Sequence, residues 1–210
     1  MLKQILTFSM ALLLIGCATA RVKQVPADVY NYKKVNFFAE GKTQAGFKVS
    51  GTMDDMMTDG VVTVKKIGEE DFEVVLLTGG LYKVLHAIVS PEGIAYRYLF
   101  KEVDNTLVRG RITQLLDLLF SSPGAYAGIR REKNGDVTTI YKAARAKETF
   151  TYKAGETYPA TARTITALNS ADLQYADYMP LSADGTVQVP HTLVYRDGKI
   201  VLDMQLISLR

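Results

Sequence analysis

One cysteine, Cys17, and no tryptophan occur among the 210 residues. A single thiol excludes an internal disulfide, so an exported form of this chain must draw its stability from an apolar core. Histidine is nearly as scarce. His86 and His191 are the two present, each sits inside a strand-like pattern, and neither has a second histidine or cysteine at metal-ligand spacing. There is no Gly-x-Ser-x-Gly elbow, no phosphate loop of the form Gly-x-x-x-x-Gly-Lys-Ser/Thr and no dinucleotide fingerprint. The acidic groups Asp54-Asp55 and Glu69-Glu70-Asp71 fall at strand ends or in turns. The expectation is therefore a protein with no catalytic residues, no metal and no cofactor, not an enzyme.

An excess of either charge is also missing. With 25 basic and 22 acidic side chains the formal charge is +3, too small to indicate a nucleic-acid partner. The basic pairs Lys33-Lys34, Lys65-Lys66 and Arg130-Arg131 are scattered and read as solvated surface. Glycine and proline are not concentrated into a linker, and no repeat of 20–50 residues is evident.

Long apolar runs are absent except at the start. After Lys3, Ile5 to Ile15 is broken only by Thr7 and Ser9. That is too short for a membrane-spanning helix, which needs about 20 residues, and has the length of a signal-peptide core. It ends in Leu14-Ile15-Gly16-Cys17, which resembles the lipobox of bacterial lipoproteins, where the cysteine is acylated and becomes the new N-terminus. Palmitate-type chains on Cys17 would each add about 0.8 kcal/mol of membrane affinity per buried methylene. An ordinary signal peptide cut near Ala18 or Ala20 is the alternative. Ala18 is not the aspartate that usually retains lipoproteins at the inner membrane, which favours the inner leaflet of an outer membrane. The expected organisation is a lipoprotein signal peptide at 1–16, a lipidated N-terminus, tether and short helix at 17–32, and a single half-barrel domain at 33–210.

What the body does contain is alternation. Phe47, Val49, Gly51 and Met53 share one side; so do Phe72, Val74 and Leu76, then Tyr82, Val84, His86 and Ile88, then Ile94, Tyr96, Tyr98 and Phe100. Near the C-terminus Ile200, Leu202, Met204 and Leu206 alternate with Val201, Asp203 and Gln205. Period-two runs separated by Asp59-Gly60, Pro91-Glu92-Gly93, Asn134-Gly135-Asp136 and Asp197-Gly198 predict antiparallel hairpins in a meander. One stretch differs: Leu107, Val108, Ile112, Leu115, Leu116, Leu119 and Phe120 follow helical spacing and stop at Ser121-Ser122-Pro123-Gly124. The fold class is mainly β, with about eleven antiparallel strands in a curved half-open barrel and one or two packing helices. A sheet this large must curl or be covered.

The inward candidates Phe47, Val49, Phe72, Val74, Val84, Tyr96, Tyr98 and Met204 define an apolar concavity. Either the helix fills it as core, or it is a pocket for an acyl chain or another amphiphile. The methionines, among them Met53, Met56, Met57 and Met204, would let such a pocket adapt.

The lipobox, the hairpins of "FKVSGTMDDMMTDGVVTVKKIGEEDFEVVLLTGGLYKVLHAIVSPEGIAYRYLF", the helix "ITQLLDLLF" and the last hairpin "VPHTLVYRDGKIVLDMQLISL" together resemble the LolA/LolB lipoprotein-carrier superfamily. The resemblance implies a half-open antiparallel barrel capped by helices that receives the acyl chains of lipoproteins. It also implies an exposed apolar residue on a loop between early strands. Leu81, in "TGGLYK", is the matching position, and it also reads as the first residue of a buried strand. The implied partners are a membrane, through the lipid anchor, and acyl chains or lipoproteins. The oligomeric state is unknown from sequence.

Overall fold

The computed structural model describes residues 29, 32–53, 56–79, 82–143, 146–167, 169–198 and 200–210. The signal segment, Cys17, Asp54, Asp55 and Leu81 lie outside them, as does nearly all of the expected tether and short helix.

Among the described residues, twelve strands form one antiparallel sheet. Five precede the helix: β1 (Gln44–Met53), β2 (Met56–Lys66), β3 (Phe72–Thr78), β4 (Tyr82–Ser90) and β5 (Gly93–Leu99). Seven follow it: β6 (Ala125–Arg131), β7 (Val137–Lys142), β8 (Lys147–Tyr152), β9 (Thr161–Ile165), β10 (Ser170–Pro180), β11 (Gln188–Asp197) and β12 (Ile200–Leu209). The spatial order is β5-β4-β3-β2-β1-β12-β11-β10-β9-β8-β7-β6. Each half is a plain meander, and β1 meets β12 at the centre, with Val49 opposite Met204. β5 and β6 are the two edges, so the barrel stays open. Between them in the chain runs α1 (Thr106–Phe120).

The alternation in the sequence predicts about eleven strands. The additional one is β6, "AYAGIRR", whose alanines and glycine give no apolar alternation. Its place is set by pairing with β7, Tyr126 opposite Tyr141.

α1 is well specified at both ends. The Asn105 side chain accepts the Val108 N–H at 3.0 Å, a standard N-cap. Ser121 closes the other end: its N–H bonds the Asp117 carbonyl and its hydroxyl donates to Asp117 Oδ1 at 3.0 Å. Val108, Leu116, Leu118 and Leu119 are buried. The helix is also bolted down by polar bonds to both sides of the sheet. On the β5 side the Tyr96 hydroxyl donates to the Arg109 carbonyl at 2.9 Å and shares a hydrogen bond with Thr113 Oγ1. On the other side Tyr195 donates to the Arg111 carbonyl at 3.2 Å, and the Gln114 and Asn169 amides exchange bonds of 2.9 and 3.1 Å.

Ahead of β1 a non-regular strap, residues 32–38, crosses the same face. Phe37 meets Phe47 edge-on at 5.2 Å, and Phe38 stacks on Phe72 at 5.1 Å. Phe38 also reaches Phe120 of the helix, so strap, sheet and helix share one aromatic knot. The core is a single cluster on this face, from Val35 through Ala171 to Leu206.

Candidate ligand-binding cavity

The cavity follows from how the strands are counted. In β3, Phe72 and Val74 point to the core with Leu76 beside them, as strict alternation requires. In β4 the register shifts: Leu76 faces Leu85 while Leu77 faces Lys83, leaving Val84 as an extra residue. A bulge of this kind lets two successive side chains serve one face, and Val84 and Leu85 both line the cavity. β5 has the complementary shift. Tyr96 faces Ala87 and Tyr98 faces His86, with Arg97 extra. Tyr96 and Tyr98 therefore do not share a side, contrary to the alternation read from the sequence.

Under α1 the result is a cavity of about 100 Å³. β1 to β4 contribute Phe47, Val49, Val62, Val64, Val74, Leu76, Val84 and Leu85; β11 and β12 contribute Leu193, Leu202 and Met204. Ile112, Leu115, Leu116, Leu119 and Phe120 of the helix form the roof. Every lining side chain is apolar, so nothing in the wall selects a polar group.

Of the eight inward candidates, the structure brings Phe47, Val49, Val74, Val84 and Met204 into this wall. Phe72 is buried next door, against Phe38 and Phe120. Tyr96 is spent on holding the helix. Tyr98 is 43% exposed and stands opposite His86, away from the cavity. The residues missed from sequence are mainly on β2, whose Val62 and Val64 alternate as clearly as any others, and on α1.

Beside the cavity, past Phe120 and Leu119, a second space is polar. It is an open cleft of about 350 Å³ lined by the strap, Lys66, Glu69, Glu70, Phe72 and Ser122. A third cleft of about 270 Å³ adjoins it through Glu70, Phe120 and Ser122 and includes Asp117 and Glu148. Lys34 does not belong to a solvated basic pair, as its neighbour suggested. Lys33 is exposed, its Nζ donating to the Thr186 carbonyl at 2.6 Å and lying over the Tyr158 ring. Lys34 turns inward, and burial pulls its ammonium down to about 8, with Glu148, Asp117 and Glu70 partly opposing the shift. Burial in turn raises the Asp117 and Glu148 carboxyls above their ordinary range.

The histidines take no part in either space. His86 Nε2 lies 2.9 Å from Glu73 Oε1 on the face of β3 and β4 turned away from the core. Among the described residues no cluster of three or more His, Cys, Asp or Glu side chains is placed to hold a metal. No helix among them is long and apolar enough to cross a membrane.

An open antiparallel half-barrel with a helix roofing its apolar face is the LolA-like fold. The chain matches no protein-family model and no curated protein. Solved structures do share its fold. A domain assigned to outer membrane lipoprotein sorting, from Vibrio parahaemolyticus, aligns with 87% of this chain and 88% of its own at 8% identity and a TM-score of 0.50. A DUF1329 family protein from Desulfovibrio piger aligns over 83% and 87% at 9% identity, TM-score 0.51. A LolA superfamily protein from Nitrosomonas europaea aligns over 80% and 85% at 10% identity, TM-score 0.50. At such identities the likeness is one of fold.

Proposed function

We propose that this protein is a non-enzymatic lipoprotein of the cell envelope, anchored through Cys17 and facing the periplasm from the inner leaflet of the outer membrane. It binds an acyl chain or similar amphiphile in the half-barrel, in lipoprotein or lipid transfer. The observation that carries this reading is the wholly apolar cavity between sheet and α1. Burying an alkyl chain there gains about 25 cal/mol per Å² of apolar surface before association costs. Ligand pockets usually measure about 300–1,000 Å³, so the present space of about 100 Å³ is that of a closed form. Admitting a chain requires α1 to lift.

The anchor and the membrane-touching loop belong to the same reading. Cys17 and Leu81 lie outside the described residues; Tyr82, next to Leu81, is 76% exposed. Acyl groups on Cys17 would appear directly in the mass of the N-terminal peptide. A Leu81→Glu chain should deliver ligand to vesicles more slowly than wild type while binding it equally well.

The decisive test is lipid content. Mass spectrometry of the purified protein should find an acyl-bearing molecule released on denaturation. A Val62→Phe substitution, which fills the cavity without burying charge, should lower its amount severalfold. The small cavity volume favours a second reading, a structural or interaction lipoprotein with a filled core. Under that reading no lipid is released, and Val62→Phe changes only the melting temperature.

A further inference from the structure

The polar cleft beside the cavity has an unequal hydrogen-bond balance. Of the carboxylates around it, Glu70 accepts Ser122 at 3.2 Å, and in the adjoining cleft Asp117 accepts the Ser121 hydroxyl and Glu148 the Gly124 backbone N–H. The Lys34 ammonium is the opposite case. It is half-buried, and among the described residues it makes neither a hydrogen bond nor a close ion pair; Glu148, Asp117 and Glu70 act on it only through space. An ammonium has three N–H donors. Lys34 lines the open cleft, where a bound anion can meet those donors.

Part of its wall is apolar and adjoins the cavity. Phe38, Phe72 and Phe120 stack along one side, and Leu119 and Phe120 line both spaces. Lys66, from the end of β2, adds a second cation, while Glu69 and Glu70 stand exposed at the rim.

We propose that this cleft is the head-group end of the ligand site and selects a single-chain amphiphile with an anionic head. Lys34 receives the anion, and the alkyl chain passes Phe120 into the cavity. The inference rests on the carrier reading. A carboxylate and a phosphate monoester supply the same acceptor chemistry, so the test separates them.

An anion beside Lys34 favours its charged form, so binding above pH 8 is coupled to proton uptake and weakens as pH rises. The other charged groups facing it are Asp117 from α1, Glu148 from β8, Glu70 and Glu69 from the β2–β3 turn, and Lys66 from β2. A variant that keeps the charge at position 34 isolates the contribution of Lys34 from theirs.

The experiment is displacement of a polarity-sensitive fluorescent fatty acid from the full chain in nonionic detergent. The competitors are palmitate, hexadecyl phosphate and hexadecanol. At pH 7 the two anions should outcompete hexadecanol at least tenfold. Lys34→Met should abolish that preference while still binding hexadecanol, and Lys34→Arg should keep it. Between pH 7 and 9.5 the affinity of wild type relative to Lys34→Arg should fall, a comparison in which the ligand's own ionisation cancels. Preference for palmitate alone, or for hexadecyl phosphate alone, identifies the source of the anion. Equal competition by hexadecanol and the anions in wild type overturns the head-group site and leaves the carrier standing. Failure of all three to bind overturns both. Should Lys34→Met not fold, a pH-independent ratio of wild type to Lys34→Arg overturns the proposal by itself.

Discussion

Asp197 is 3% exposed and closes β11 directly beneath the helix. Its carboxylate accepts from the Asn169 amide at 3.4 Å, lies 3.4 Å from the Tyr195 hydroxyl and sits 3.8 Å from Arg111 Nε. One buried anion thus organises three groups that hold α1, since Asn169 also bonds Gln114 and Tyr195 also bonds the Arg111 carbonyl. Removing one member of such a buried charged network typically costs about 3–5 kcal/mol. Asp197→Ala should lower urea-unfolding stability by that order, and Asp197→Asn by clearly less, because its side-chain oxygen still accepts. Neither Asp197 nor Lys34 could be assigned from sequence. Asp197-Gly198 reads as a turn dipeptide, and it is one. Its carboxylate is buried because the helix lies over it, a fact of tertiary packing. Lys34 was hidden in the same way by Lys33: two adjacent lysines look alike until the strap's direction places one in water and the other against Phe120's cleft.

At the scale of elements, the period-two and period-3.6 patterns carried most of the fold. α1 was expected at about Leu107 to Phe120 and runs Thr106–Phe120. β12 alternates as read, with Ile200, Met204 and Leu206 buried. What the patterns could not carry were the bulges. One extra residue at Val84 or Arg97 shifts every later side chain to the other face without changing the residue types, so β4 buries Leu85, Ala87 and Val89 instead of His86 and Ile88. The strap was equally illegible, because Phe37 and Phe38 meet partners remote in sequence. α1 itself contains one weak point, Gly110, which is exposed and would meet no atom within 4 Å if given a Cβ. Glycine in a helix interior costs about 0.8–1 kcal/mol relative to alanine. Gly110→Ala should therefore raise the melting temperature by about 2–4 °C, the usual response for a chain of this size. Ligand affinity should be unchanged if α1 lifts as a rigid rod. A loss of affinity in this variant would show that the helix bends at Gly110 instead.

For the whole molecule, the two free edges and the helical roof define how the fold can work. Open edges invite unwanted pairing, and β5 and β6 carry Arg97, Arg130 and Arg131 along them. The sheet itself is held by eleven ladders of strand pairing, whereas α1 is held by a few hydrogen bonds and one apolar stripe. If any part moves to enlarge the cavity, it is the helix. The bolts on its two sides are not equivalent. Tyr96 reaches it from the free edge strand β5, while Asn169 and Tyr195 reach it from the interior of the C-terminal half of the sheet. Opening at the β5 side leaves the Asp197 network intact and exposes Val84, Leu99 and Val103 first, so that side is the expected mouth and the Gln114–Asn169 contact the hinge. Two tethered variants separate these roles in a Cys17→Ser background. Cysteines at Tyr96 and Thr113, joined by a short bifunctional thiol reagent, should abolish uptake of the fluorescent fatty acid. Cysteines at Gln114 and Asn169, joined in the same way, should leave uptake largely intact. Uptake that survives the first tether but not the second would place the mouth on the opposite side, and uptake that survives both would mean that the chain enters without displacement of α1.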